Sequence, residues 1–438
     1  MQNPSDSPLT RRAFLEKSAA AAMATTALAS GFPQILRGAE DTKPIRVALV
    51  GCGGRGSGAA NQALKADKGT VLVAMADAFK DRLDTSLSNL RATYKDKPEK
   101  VTVTPETSFV GLDAIDKVLA MPDVDVVLLT TPPGFRPEHY EKTVKAGKHA
   151  FVEKPIAVDA PGYRRFLDAV MIAKQKNLGL QSGFCWRSHY LEREVYKRVL
   201  GGELGTVQAA HGTYLGGTPW TKERKDEWKD LEYHLRNWMH MTWLSGDHLV
   251  EQAIHTVDKM CWAFGDANPV SAQGMGGRQQ RVEPQYGNQW DHFSIVYDWG
   301  EERRGFMMCR QQAGCWGDVS DQIYGTKGVL RKKSGTMAAI KFADGNQWKY
   351  DGPKNDMYQT EHDEFFASIR AGQPVNFGEK IAHSTMVGIL GRMAAYTGQP
   401  VTWEDAIKSK ETLGPDKLDW AMTLPVAAPA MPGRTKFA

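Results

Sequence analysis

Gly51-Cys52-Gly53-Gly54-Arg55-Gly56 stands between the apolar run Ile45-Arg46-Val47-Ala48-Leu49-Val50 and the small-residue stretch Gly58-Ala59-Ala60. The apolar run reads as a strand and the Ala-rich stretch as the opening of a helix, so the glycines fall on the turn between them. Glycine there permits a tight turn, lets backbone approach a pyrophosphate, and aims a helix N-terminus at its charge. Asp77 closes the second apolar run, about 20 residues beyond the last glycine, where a carboxylate accepts hydrogen bonds from adenosine ribose hydroxyls and repels a 2′-phosphate. The alternative, an ordinary tight turn, does not account for that acid. NAD is therefore expected ahead of NADP, and Lys80 and Arg82 lie close enough to keep NADP open.

Outward from this turn, short apolar runs alternate with helical segments as far as Phe184: Ile45 to Val50, Val71 to Met75, Val124 to Thr130, Ala150 to Val152 and Leu178 to Ser182. Such alternation predicts an α/β fold with a doubly wound parallel sheet over residues 44–184. Ligands bind outside the carboxyl ends of such strands, which places Thr131-Pro132 and Glu153-Lys154-Pro155 at the same crevice, with Lys154 towards the nicotinamide end. Beyond Trp186 the texture changes. A stretch dense in Trp, His and Tyr leads to a helix near Thr242 to Phe264, then to strands such as Phe293 to Trp299, Gly305 to Gln311 and Gln322 to Tyr324. Residues 185–423 are expected to form a second, α+β domain with a mostly antiparallel sheet. Ile381 to Tyr396 reads as an amphipathic helix, and residues 424–438, rich in Pro and Ala, as an extended arm.

Composition fits two domains: of 438 residues, 42% are hydrophobic and 24% charged, which excludes a mainly disordered chain. With Lys+Arg 55 against Asp+Glu 51 the formal charge is +4, and no basic run interleaved with aromatics marks a nucleic-acid groove. The five cysteines contain no Cys-x-x-Cys pair and read as buried small residues, neither disulfide framework nor zinc site. At the N-terminus, Thr10-Arg11-Arg12-Ala13-Phe14-Leu15 precedes an Ala-rich, uncharged stretch from Ser18 to Ser30. That is the layout of a twin-arginine export signal over residues 1–40, with the export machinery as a partner and a periplasmic or otherwise exported destination. The run is too short for a stable membrane anchor.

Together, GCGGRG, Asp77, TTPPG, AGKHAFVEKP and a sheet-containing second domain resemble the glucose-fructose oxidoreductase/inositol dehydrogenase family, Gfo/Idh/MocA. The resemblance implies a Rossmann domain followed by an α/β domain whose large open sheet packs against another subunit, hence a homo-oligomer. It also implies an active-site lysine at Lys154, with Pro155 shaping the nicotinamide site. The family's Asp-x-Gly-x-His element corresponds to Glu251-Gln252-Ala253-Ile254-His255, which carries Glu and Ala where Asp and Gly are usual. Dehydrogenation of a secondary alcohol needs a group to accept the hydroxyl proton, which suits imidazole, and an ammonium can stabilise alkoxide character. His255 is thus assigned as general base or acid, Lys154 as its electrostatic partner, and Glu251 as the neighbour that orients substrate or imidazole. On one continuous helix Asp247, Glu251 and His255 would share a face with His248 nearby. His248, Glu251 and His255 could converge on an ion, but the pattern is not His-Glu-x-x-His, and no metal is expected.

On the substrate side, Arg187, His189, Tyr190, Trp238 and His248 are the candidate contacts. Flat rings in the stretch containing Trp220, Trp228, Tyr233, Trp238 and Trp243 suit the C–H faces of a sugar ring. No Lys/Arg cluster marks a substrate phosphate. The expected function is an exported NAD-dependent oxidoreductase acting on a secondary hydroxyl of an unphosphorylated sugar, glycoside or cyclitol, with tightly held, recycled cofactor. Glycoside cleavage or epimerisation through a transient keto-sugar is the alternative enzyme, and non-catalytic sugar binding the further alternative.

Overall fold

The run Ile45–Val50 is buried except for part of Arg46, as expected of a strand covered on both faces. In the computed structural model, which describes residues 43–436, it forms β1 at the centre of a six-stranded parallel sheet. The other strands of the sheet are β2 (Thr70–Asp77), β3 (Ser108–Val110), β4 (Val126–Leu129), β5 (His149–Val152) and β6 (Leu180–Ser182), in the order β3-β2-β1-β4-β5-β6. The strand order reverses between β1 and β4, and the chain turns after both open into one crevice at the carboxyl edge.

The second sheet has nine strands: β7 (Val207–Gly216), β8 (Ser271–Gly277), β9 (His292–Asp298), β10 (Arg304–Gln311), β11 (Ser320–Gly325), β12 (Gly328–Lys333), β13 (Met337–Phe342), β14 (Gln347–Lys349) and β15 (Val401–Thr402). Only β7 and β10 run parallel; the other neighbours are antiparallel. The chain then returns to the first sheet. Helix Met357–Arg370 packs on helix Gly54–Ala66, and its Phe365 and Phe366 join the same apolar cluster as Ala59, Ala63 and Leu64.

Two expectations are corrected here. Helix Gly378–Thr397 is not amphipathic: it is buried around nearly its whole circumference because helix Ala160–Gln175, helix Ile254–Ala263 and β8 close on it from different sides. Of the cysteines, Cys315 is exposed, whereas the other four are buried. The export-signal residues lie outside the described part. Among the described residues no helix is long and apolar enough to cross a membrane.

Burial holds several histidines neutral: the imidazole of His234 is pulled down to about 4, that of His240 to about 4 and that of His362 to about 3. Unfolding restores an ordinary value of roughly 6.5 to each, so below that pH the unfolded chain binds more protons and stability falls as pH falls. Burial raises the carboxyls of Asp77, Glu361 and Asp363, which acts in the opposite sense, but it also lowers His139, His149, His189, His255 and His383 as it does the first three. Urea unfolding midpoints are therefore expected to drop between pH 6.5 and 4.5, with each histidine contributing about 1.4 kcal/mol per pH unit. A midpoint rising over that interval would contradict this assignment.

Candidate active site

Gly51 adopts φ 97°, and a Cβ there would lie 2.7 Å from Thr131 N and 2.8 Å from Thr130 C. At Gly56 it would lie 2.0 Å from Gly51 O. These two glycines permit the turn and the close approach of helix to strand. Gly53 and Gly54 instead have nothing within 4 Å of an added Cβ, so bare backbone faces open space at the start of helix Gly54–Ala66, which has no side-chain cap. This is an anion cradle, and it fits a pyrophosphate.

Asp77 ends β2 at the same opening. Its Oδ2 accepts from Cys52 N at 2.6 Å and its Oδ1 from Phe79 N at 2.9 Å, and burial pushes the carboxyl up. Arg82 also lines this end, whereas Lys80 is paired with Asp84 at 2.6 Å. Arg55 turns towards β5: its Nε lies 2.9 Å from Glu153 Oε1 and its guanidinium lies over Tyr358. Removing Asp77 by Asp77→Ala should weaken NADH and narrow the preference against NADPH by about tenfold or more, since Arg82 would then face the 2′ position unopposed. Fluorescence titration with both nucleotides measures it, and an unchanged ratio counts against a ribose contact at Asp77.

One continuous cavity of about 770 Å³ runs from Gly51, Gly53, Gly54, Arg55, Gly56 and Asp77, past Thr131, Pro132 and Glu153, to Lys154, Glu251 and His255. Buried Arg136 ties the loops together, donating to the carbonyls of Thr131, Glu153 and Pro155. Burial lowers its guanidinium to about 10. Beyond Glu153 the Lys154–Pro155 peptide is cis.

Lys154 Nζ donates to Glu251 O at 2.6 Å and to Glu251 Oε1 at 2.9 Å, in a pair whose side chains are 13% and 10% exposed. Burial pulls the ammonium down, but the Glu251 carboxylate more than offsets this and the net shift is upward, so Lys154 stays charged. His255 stands in the first turn of helix Ile254–Ala263 and is half-buried, with no hydrogen-bond partner for Nδ1. Burial drives its imidazole well below the ordinary value, and the charges of Lys154 and Lys259 add to the effect. A neutral proton acceptor thus faces the same space as a fixed ammonium.

The single helix expected over Thr242 to Phe264 is instead three pieces: Thr242–Ser245, His248–Glu251 and Ile254–Ala263. Gly246 (φ 81°) and Asp247 (φ 71°) break it. The Asp247 carboxylate is buried, accepting from His248 N, Trp290 N and the Tyr396 hydroxyl. Glu251 ends the second piece and His255 stands in the first turn of the third, on either side of Gln252-Ala253, and the Glu251 carboxylate orients the lysine.

Four candidate substrate contacts are corrected. Arg187 is spent on Asp258 (2.9 and 3.0 Å from Nε) and Asp266 (2.6 and 3.1 Å from its terminal nitrogens), and lies over Trp262. His189 packs on Trp186, and Tyr190 opens helix Tyr190–Leu200 with its N–H donating to Asn355; neither lines the cavity. His248 is a core histidine, 2% exposed, its Nδ1 3.2 Å from Asp247 Oδ1 and from Trp290 O. Trp238 does line the cavity together with Trp220, their rings meeting edge to face at 6.4 Å. Trp228, Tyr233 and Trp243 do not line the cavity; they belong to an apolar cluster against which Trp238 also packs.

Residues missed by sequence reasoning also line the cavity: Tyr214 from β7, Gln252, Arg136 and Tyr358. Gln252 follows Glu251 directly and had a local signal; Tyr214 and Tyr358 come from distant elements and had none. Among the described residues no group of three or more His, Cys, Asp or Glu is arranged to hold a metal ion.

Comparison with known proteins accords with this geometry. Residues 45–184 match the Gfo/Idh/MocA oxidoreductase family, NAD-binding Rossmann fold, and residues 197–396 match its C-terminal α/β domain. The chain is similar to inositol 2-dehydrogenase of Rhizobium meliloti (strain 1021), 24% identical over 326 residues, covering 74% of this chain and 86% of that protein. Its fold is similar to that of aldose-aldose oxidoreductase from Caulobacter crescentus complexed with glycerol (TM-score 0.65, 17% identity, covering 82% of this chain and 100% of that one). It is also similar to scyllo-inositol dehydrogenase from Lactobacillus casei with bound NAD(H) and scyllo-inositol (TM-score 0.61, 19% identity, 83% and 100% covered).

Proposed function

Because this chain belongs to the Gfo/Idh/MocA oxidoreductase family, with its NAD(P)-binding Rossmann domain, we propose that it oxidises a secondary hydroxyl of an unphosphorylated sugar, glycoside or cyclitol. The observation that carries this reading is the Lys154–Glu251 pair beside His255 at the far end of the dinucleotide cavity from Asp77. Bound at the glycine turn, NAD supplies a hydride acceptor. The chain's own residues handle the proton and the charge. Neutral His255 accepts the hydroxyl proton, and the Lys154 ammonium donates to the same oxygen as alkoxide character develops. Glu251 holds Lys154 in place with two acceptors and keeps it protonated. Trp220 and Trp238 offer ring faces and edges for the C–H surfaces of a cyclic substrate.

The test is to purify the protein without added nucleotide, identify any bound dinucleotide by mass spectrometry, and screen free sugars, glycosides and cyclitols for reduction of bound cofactor by absorbance. Reduction by one of these classes supports the reading. A protein that binds NAD but is reduced by none refutes the substrate class.

Two further properties belong to this proposal. Thr10-Arg11-Arg12 before the Ala-rich run supports export through the twin-arginine pathway with cofactor already loaded, recycled between two substrates or within one turnover. Cell fractionation of wild type against Arg11→Lys/Arg12→Lys tests it, and an unchanged distribution argues against it. The outer face of the second sheet exposes Met275, Phe306, Met308 and Tyr324, an apolar surface that suits a second copy of the chain. Sedimentation equilibrium distinguishes a homo-oligomer from a monomer, and a monomer at micromolar concentration would refute it.

A further inference from the structure

Residues 417–424 alternate between the surface and the protein: Lys417, Asp419, Ala421 and Thr423 are exposed, whereas Leu418, Trp420, Met422 and Leu424 are partly buried. The inward side chains join an apolar cluster assembled from remote parts of the chain: Ala78, Phe79 and Leu112 beside Asp77, Phe135, the Trp228–Leu244 region of the second domain, and this arm. Phe79 is the keystone. Its N–H donates to the Asp77 carboxylate, and its ring lies under the Arg236 guanidinium (4.0 Å to the centroid) and against Trp420 (5.7 Å between centroids).

Polar contacts fasten the same assembly. Arg236 makes a bidentate pair with Asp81 at 3.1 and 3.2 Å, joining helix Asp230–Arg236 to the helix that follows Asp77. Leu424 N donates to Asp230 at 2.8 Å, and Leu413 N donates to Asp159 at 3.1 Å, so the arm is pinned to both domains. Leu418 and Arg236 line the cavity itself. The arm and helix thus close over the end of the cavity marked by Asp77, away from Lys154 and His255.

We propose that residues 413–424 form a clasp over the adenosine end of the cavity, so that a bound dinucleotide enters or leaves only when Trp420 unpacks from Phe79. This rests on the dinucleotide reading of the glycine turn and Asp77, and it gives the recycling of cofactor a physical cause: release is slowed by a packed lid. A clasp obstructs both directions of exchange, whereas a side chain that merely touches the ligand alters release alone.

The experiment uses the full chain loaded with NADH and follows loss of nicotinamide fluorescence on chase with excess NAD, together with the association rate of NADH to stripped protein. Trp420→Ala is expected to raise both rates by about tenfold or more. Leu418→Ala, which removes less buried surface, should raise both by a smaller factor and serves if Trp420→Ala does not fold. Met431→Ala, farther along the arm and outside the cluster, should leave both rates at wild type. Near-UV circular dichroism checks folding. Unchanged exchange in folded Trp420→Ala and Leu418→Ala overturns the clasp, as does faster release with unchanged entry. Wild type that binds no dinucleotide overturns the nucleotide reading and the clasp with it, an outcome distinct from binding with variant-independent rates.

Discussion

Lys154→Met is expected to lower kcat by at least about a hundred- to thousandfold, with NADH affinity close to wild type. The ammonium is a preorganised donor to the alkoxide, worth more in a largely water-excluded site than in solution. Its remoteness from the glycine turn and Asp77 leaves dinucleotide binding intact. The substitution has a second consequence that separates chemistry from folding. It strands the buried Glu251 carboxylate without its cation, and breaking a buried pair from one side costs on the order of 3–5 kcal/mol. Lys154→Met alone should therefore unfold at lower temperature. Lys154→Met/Glu251→Gln removes the stranded charge and should recover much of the melting temperature without recovering kcat. If the double variant regained activity along with stability, Lys154 would be a structural lysine and not a participant in the reaction.

The part of the site that was legible in sequence is the part whose geometry is local. A tight turn, a helix N-terminus and an acid at the end of the next strand are fixed by residues within one β-α-β unit, so Gly51 to Gly56 and Asp77 could be placed from spacing alone. The break at Gly246-Asp247 could not, because it is enforced by Trp290 and Tyr396, 43 and 149 positions away from the carboxylate they hold. Arg187 misled for the same reason. It sits beside the crevice in sequence, but Asp258 and Asp266, 71 and 79 positions on, take its guanidinium. The helix Gly378–Thr397 misled differently: its few polar positions suggested a solvated face, but that face is enclosed by elements on several sides, with Arg392 donating to the carbonyl of Val158 and Ser384 to Asp258. Where a side chain's partner is remote, its residue type states only what it can do.

His255→Gln is expected to lower the rate of substrate oxidation by about a hundred- to ten-thousandfold, again with NADH binding retained. The pH profile assigns the role. A general base works only when unprotonated, so its rate falls as pH drops through its pKa. Burial, reinforced by Lys154 and Lys259, holds His255 well below the ordinary imidazole value. The wild-type kcat/KM should therefore stay level on going from neutral pH down through about 6.5, where an unperturbed histidine would already be losing activity. Lys259→Met removes one positive charge near the imidazole, which raises its pKa and should move the acid limb to higher pH. That variant also leaves Asp321 with Lys332 as its remaining cation, so the buried acid keeps a partner. An acid limb that stays put in Lys259→Met would leave burial and the Lys154 charge to depress the imidazole. An acid limb that survives unchanged in the residual activity of His255→Gln would move the proton-accepting role to another group, and Tyr214, whose phenol is raised by burial but drawn back down by Lys154, is one side chain in the cavity with the chemistry to take it.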